Sequence, residues 1–218
     1  MNDRHPAPGN RRREQNPAYG LLQPIFFGYT VNAPLTTAQG IERDTGLWDR
    51  GMALLEREFS LLPMERRDEL AALLAEVGRL KEELLSLSDA AEGSTICAAC
   101  GGACCRVGRY HPTPLDLLAF HAAKEIPVVP DFASGVCPFL GPAGCGIAPS
   151  KRPFTCVIFI CDLIEERLSG DEVTRLHQVE EELRLLREQT ATRFGRLLTR
   201  SLLLEMERSD RVGARFLH

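Results

Sequence analysis

The chain has 218 residues and 44% of them are hydrophobic, so it is long enough to bury a core without disulfides. The net charge is −4, which gives no sign of a nucleic-acid-binding surface. No apolar run approaches the ~20 residues that a membrane-spanning helix needs. The first apolar stretch is interrupted by Gln23, Pro24 and Gly28, which makes a poor signal peptide. We therefore expect no nucleic acid, no membrane and a cytoplasmic location.

The first half of the chain divides into an irregular start and a helical segment. Residues 1–40 contain five prolines and predict an irregular N-terminal arm. Apolar residues then recur at helical spacing over 44–62. Pro63 suits the first turn of a second helix that ends near residue 89. The spacing between its successive apolar residues alternates between three and four positions. Together these helices form a predicted helical segment over 44–92.

A long C-terminal helix is predicted over 169–208. Ser169 and Glu172 have the spacing of a capping box, and the apolar stripe that follows continues toward Glu207. Two long amphipathic helices therefore flank the middle of the chain. We expect their stripes to pack on each other as an antiparallel pair, and the alternative is an interface with a partner protein or a second copy of the chain.

The middle of the chain, 93–168, has a different composition. It contains all eight cysteines and is dense in proline and glycine, so it predicts loops and turns. One short helix is expected over 114–124, with Thr113 as its N-cap and Asp116 three residues later. The predicted fold is thus mainly α, with long amphipathic helices flanking an irregular, loop-rich cysteine-cluster core.

The cysteines predict a metal-binding domain in this middle region. The stretch CAACGGACC places four thiols in nine positions, and its Cys-x2-Cys spacing lets two thiolates close on one metal. Gly101 and Gly102 then allow the chain to turn back toward the same ion. Clustered cysteines in a cytoplasmic protein are more often metal ligands or redox groups than structural disulfides. The candidate metal ligands are Cys97, Cys100, Cys104, Cys105, Cys137, Cys145, Cys156 and Cys161.

The number of cysteines does not distinguish a zinc site from an iron–sulfur cluster. Four thiolates close one zinc site or hold one iron–sulfur cube, and eight can hold two of either. Adjacent side chains of extended chain point to opposite sides, so Cys104 and Cys105 suit a polynuclear centre, and we favour a 4Fe–4S cluster over zinc or iron ions. Cys156 and Cys161 lie in the apolar run FTCVIFIC and can also be read as small buried hydrophobes, so Cys161 is the weakest predicted ligand.

Other polar residues near the cysteines are less informative. His111 and His121 are candidate ligands or proton donors, although His121 is better explained as a partly exposed helix residue. Arg152 can bond a cysteine sulfur or lie at the surface. No phosphate-binding loop, dinucleotide fingerprint, nucleophile elbow or His-Glu-x2-His motif is present, so no catalytic residue can be named.

With CAACGGACC, CPFLGPAGCGI and KRPFTC in this order, the chain resembles the YkgJ-type cysteine-cluster family, a mostly bacterial family with a CxxCxxCC signature that is described as zinc- or iron-chelating. The resemblance covers about 97–161. Two features depart from the family pattern: three residues separate Cys100 from Cys104, and Val157 follows Cys156 where the family usually has an arginine.

The resemblance implies metal or iron–sulfur binding by these cysteines. We therefore expect a metal-binding protein with an accessory or redox role. One alternative is a metal-dependent enzyme of redox or methyl transfer, since flagellin lysine methylases carry a similar cysteine cluster, but no separate methyl-donor site is recognisable here. Another is a structural zinc module whose helices bind a partner protein. Full thiolate coordination favours the structural module, and an open coordination position favours the enzyme.

Overall fold

The computed structural model describes residues 37–99, 105, 107–142, 144–209, 213 and 215–218. Within this part of the chain the fold is mainly α, which confirms the predicted class. The helices are α1 (Ala38–Leu61), α2 (Met64–Ala90), α3 (Gly93–Ala99), α4 (Pro114–Ala123), α5 (Phe154–Ile158), α6 (Asp162–Glu165), α7 (Gly170–Phe194) and α8 (Leu202–Ser209). Among the described helices, none combines the length and the apolar character that crossing a bilayer requires.

Short elements complete the described fold. The strands β1 (Leu140–Gly141) and β2 (Gly144–Cys145) pair antiparallel, with Leu140 opposite Cys145. Turns of 3₁₀ helix lie at Gly108–Tyr110, Pro149–Lys151 and Arg196–Thr199. The cysteine-rich middle of the chain is therefore built from short pieces between the long helices.

Helix α1 begins six residues before the predicted start at position 44. The Thr37 side chain accepts a hydrogen bond from the backbone N–H of Gly40 at 3.1 Å, and such a cap satisfies one of the amides that the first turn leaves without an intrahelical partner. The predicted arm therefore extends too far at its C-terminal end, because positions 38–40 are already helical. The rest of that predicted arm, residues 1–36, lies outside the described residues.

The two long helices α2 and α7 pack on each other within one chain. Arg175 near the start of α7 pairs with Glu83 near the end of α2, and Arg193 near the end of α7 pairs with Glu69 near the start of α2. These pairs show an antiparallel arrangement, as predicted. The apolar stripes lie at the contact, where the buried residues are Leu70, Leu74, Val77, Leu80, Leu84, Leu176, Val179 and Leu183.

The predicted long C-terminal helix is wrong as a single element. The capping box of Ser169 and Glu172 is present, but α7 ends at Phe194. Gly195 has a φ of +153°, and the end of the chain returns to this point, where the His218 amide donates to the Phe194 carbonyl at 3.0 Å. A 3₁₀ turn and then α8 follow, so the predicted helix 169–208 is interrupted at Gly195. Glycine is the residue type that tolerates this backbone conformation.

The described part of the cysteine-rich region shares its core with the long helices. The chain after Pro34 forms one compact unit. Leu115 and Leu118 of α4 and Val157 of α5 belong to the same buried cluster as the apolar residues of α2 and α7. The predicted domain 93–168 is therefore attached to the helices by shared packing.

Gly195→Ala should lower the free energy of unfolding by about 2 kcal/mol or more, because a Cβ here would overlap the carbonyl oxygen of Phe216 and the φ value would be strained. Urea unfolding followed by circular dichroism measures the loss. Gly46→Ala in α1 is the control, since its Cβ would meet only the end of the Arg50 side chain at 3.7 Å. Equal stability of the two variants would contradict the account of the break after α7.

Candidate metal centre

A buried ion pair fixes the segment 107–111 to helix α1. The Arg109 guanidinium donates to the Asp44 carboxylate with an Nη1–Oδ2 distance of 2.6 Å, and both side chains are at most 3% exposed. Arg43 donates to the other oxygen of the same carboxylate at 3.0 Å. Because both ends of the buried pair are neutralised locally, this segment is held in one position on the helix. Cys105 lies just before the segment and His111 ends it.

The Asp116 carboxylate joins three further elements. Its Oδ2 atom accepts from the Thr113 hydroxyl at 2.6 Å and from the Thr113 amide at 3.1 Å, which completes the capping box of α4. Its Oδ1 atom accepts from Lys81 Nζ of α2 at 2.6 Å and from the Phe154 amide of α5 at 3.3 Å. Because Cys156 is carried by α5, this carboxylate also sets the position of that thiol.

The block from Cys137 to Leu140 is held by aromatic packing. The rings of Trp48 and Phe139 lie with their centroids 5.6 Å apart, and Trp48 also meets Phe132 at 6.3 Å. The Leu140 amide donates to the Cys137 carbonyl at 3.0 Å, which closes a turn around the cysteine. The hairpin that follows pairs Leu140 with Cys145, so the same block positions two thiols.

Because Gly108 has no side chain, there is room for the Cys137 side chain beside it. Both residues are buried. A Cβ on Gly108 would lie 2.5 Å from Cys137 Sγ and 2.9 Å from Cys137 Cβ, closer than real side chains approach. Only glycine at this position lets the segment 107–111 reach the sulfur.

Three of the predicted ligands, Cys105, Cys137 and Cys145, lie near enough to a fourth, Cys156, to act on it electrostatically. Burial raises the pKa of the Cys156 thiol well above its ordinary value, and nearby charges on the other three cysteines and on Asp116 raise it further. Four thiols from three separate parts of the sequence therefore share one neighbourhood. Neither Cys145 nor Cys156 forms a disulfide.

His111 lies against this group of thiols. Its Nδ1 atom is 3.1 Å from Cys156 Sγ, and the residue is half-buried. Burial lowers the pKa of His111, although the Asp116 carboxylate opposes the shift. Burial therefore favours the neutral form of the imidazole, in which one of the two ring nitrogens carries a proton.

The remaining predicted ligands lie on α3, just before α6, or outside the described residues. Cys97 is exposed on α3, which packs against β2 and against α6. Cys161 is half-buried and precedes the first residue of α6. Cys100 and Cys104 lie outside the described part of the chain, so the structure does not bear on their predicted roles.

The sulfur and nitrogen donors at this site are of the chemical type that a soft metal ion prefers. Among the described residues, no three His, Cys, Asp or Glu side chains lie close enough together to hold one ion. The group around Cys156 nevertheless consists of thiols and one imidazole, which are the ligands that zinc and iron–sulfur clusters take. A bound cation would also offset the mutual repulsion of their thiolates.

The structure also places the two other polar residues that the sequence singles out near the cysteines. Arg152 donates from Nε to the Ile147 carbonyl at 3.1 Å, and this bond to a backbone oxygen is its described hydrogen bond. His121 is a partly exposed residue of α4, as predicted. Its ring stacks on Phe59 with centroids 6.4 Å apart, so packing accounts for it.

The anchoring residues Asp44, Lys81, Arg109 and Gly108 are not predicted from the sequence. A signal existed for Lys81, because it stands next to Leu80 inside the apolar stripe of α2, where a charge needs a buried partner. The sequence does not identify Asp116 as that partner, since 35 residues separate the two.

Asp116→Asn should lower the free energy of unfolding by about 3–5 kcal/mol, because it leaves the Lys81 ammonium buried without its carboxylate. Chemical denaturation of the metal-free protein measures the change. Glu207→Gln is the matched control: it removes an exposed pair with Arg43, which is worth less than about 1 kcal/mol. A loss no larger than that of the control would show that Asp116 does not support the fold as described.

Gly108→Ala should destabilise the metal-free protein by about 1–3 kcal/mol, because the new methyl group must displace the Cys137 side chain. The same urea titration measures it. Gly170→Ala is the control, since a Cβ at the start of α7 would meet no atom within 4 Å. Unchanged stability of Gly108→Ala would mean that Cys137 can move freely and that its position is not fixed.

No protein-family model, curated protein or solved structure matches the chain. The resemblance to the YkgJ-type family therefore stays a prediction from the cysteine motifs.

Proposed function

We propose that this protein binds a metal centre through its clustered cysteines and has an accessory or redox role. One observation carries the proposal: Cys105, Cys137 and Cys145 lie near Cys156 although they come from separate parts of the sequence, and His111 contacts the Cys156 sulfur. An iron–sulfur cluster, with 4Fe–4S favoured, is the preferred occupant, and zinc or iron ions are the alternative. The full set of proposed ligands is Cys97, Cys100, Cys104, Cys105, Cys137, Cys145, Cys156 and Cys161.

The surroundings of these four thiols favour a bound metal over four thiols that act independently of one another. Thiolates that lie close together and partly buried repel one another, and a cation between them turns that repulsion into attraction. The segments that carry these cysteines form only short helices and strands, and metal coordination is one way to stabilise such segments. An iron–sulfur cluster would supply one-electron chemistry, whereas a closed zinc site would only hold the loops together.

The cysteine motifs support the same reading through their resemblance to the YkgJ-type family. A cytoplasmic location is part of the proposal, because reduced thiols are maintained there.

The proposal also includes binding to a partner protein or to a second copy of the chain. The apolar stripes of α2 and α7 pack on each other within one chain. Any partner would therefore contact another surface. One exposed apolar pair, Phe159 and Leu163, flanks Cys161.

The proposal predicts an unequal response of the cysteines. Cys137→Ser and Cys156→Ser should each lose at least half of the bound metal, because both thiols belong to the converging group. Cys161→Ser, at the weakest predicted ligand, should lose less metal than either of them. Metal per chain, measured by elemental analysis after anaerobic reconstitution, reports the result, with circular dichroism to confirm folding.

Wild-type metal content in both Cys137→Ser and Cys156→Ser would remove the basis of the proposal. Complete loss of metal in Cys161→Ser would show that the weakest predicted ligand is an essential one.

A further inference from the structure

A proline segment, residues 125–130 with the sequence EIPVVP, follows helix α4. It contains no helix or strand, yet hydrogen bonds hold it at both ends. The Glu125 amide donates to the Phe120 carbonyl at 2.9 Å, and the Asp131 amide donates to the Pro138 carbonyl at 2.8 Å. The proline segment is therefore fixed on the body of the protein without belonging to a regular element.

The sequence of the proline segment favours a polyproline conformation. A proline fixes its own φ at about −65°, and the residue before a proline is kept in the extended region. Pro127 and Pro130 thus constrain themselves and the residue before each of them. A polyproline helix has no internal hydrogen bonds, and among the described residues no backbone hydrogen bond involves 126–130.

In this conformation the segment has one attached edge and one exposed edge. A polyproline helix has three residues per turn, so residues three apart lie along the same edge. Val128 packs against the core, and on the same edge the Glu125 carboxylate accepts from Lys151 Nζ at 2.7 Å. Ile126 and Val129 form another edge and are 91% and 82% exposed. The segment therefore presents two large apolar side chains to solvent in a fixed position.

The exposed edge has the pattern that aromatic grooves recognise. Pro-x-x-Pro segments dock in grooves lined by aromatic side chains, and their preformed polyproline conformation keeps the entropy cost of binding low. Here each proline directly follows one of the exposed apolar residues, Ile126 before Pro127 and Val129 before Pro130. The segment thus offers two apolar–proline pairs at a spacing of three residues.

A positive charge lies at one end of the segment. Lys124, three residues before Pro127, is exposed and forms no ion pair with any other described residue. A carboxylate beside the groove of a partner would complement this charge and fix the direction in which the segment binds.

We propose that residues 124–130 are a docking site for a partner protein whose surface has an aromatic-lined groove with a carboxylate at one end. The groove receives the two apolar–proline pairs, while Val128 stays packed on the core of its own chain. This docking site does not depend on whether the cysteines bind a metal.

The experiment titrates the full-length protein with a purified SH3 domain that selects Lys-x-x-Pro-x-x-Pro ligands, and isothermal titration calorimetry measures the affinity. Ile126→Gln and Val129→Gln should each weaken binding about 10-fold or more, because each removes an apolar side chain from the contact. Lys124→Gln should weaken binding at low salt and have a smaller effect at high salt, because salt screens the charge pair.

Leu185→Gln is the matched control, because it also replaces an exposed apolar residue but lies on α7, and it should leave the affinity unchanged. Circular dichroism checks that each variant folds. Absence of binding by wild type, wild-type affinity in Ile126→Gln and Val129→Gln, or an equal loss in Leu185→Gln would overturn the proposal. Self-association of the full-length protein that Ile126→Gln abolishes, measured by sedimentation velocity, would overturn it too, because a second copy would then cover the segment.

Discussion

The described structure depends on one buried carboxylate. Asp116 receives Lys81 from α2, both donors of Thr113 at the start of α4, and the Phe154 amide at the start of α5. Its side chain is only 2% exposed, so its charge is tolerated because each oxygen accepts hydrogen bonds and the lysine neutralises it. A second buried pair, Arg109 with Asp44, fixes the preceding turn to α1 in the same way. The long helices thereby determine where the irregular cysteine region lies.

This arrangement explains how loops with little core of their own can present thiols at one place. Cys137 is located by Trp48 packing and by the space at Gly108, Cys145 by the hairpin, and Cys156 by the Asp116 network. Charge pairs and aromatic packing thus set the positions of these thiols. A metal would then add stability to a site that is already partly organised, and its binding would be coupled to folding through the loops.

The helical part of the fold was predictable because its signals are local. The α2 and α7 stripes, the Thr113 cap and the Ser169 capping box all lie within a few residues of the structure that they specify. The end of α7 was not predicted, since it depends on the return of the chain terminus to Gly195. In the candidate site the cysteines were recognisable by type, whereas Lys81, Asp44 and His111 gain their roles from partners far away in sequence.

The central claim is that the clustered thiols hold a metal. The most direct test measures iron, zinc and acid-labile sulfide per chain, with a visible spectrum, on protein purified without oxygen. The account predicts a brown protein with iron and sulfide in near-equal amounts, or a colourless one with bound zinc in the structural alternative. Protein that contains no metal, takes up neither added iron nor added zinc, and has every thiol reactive would contradict it.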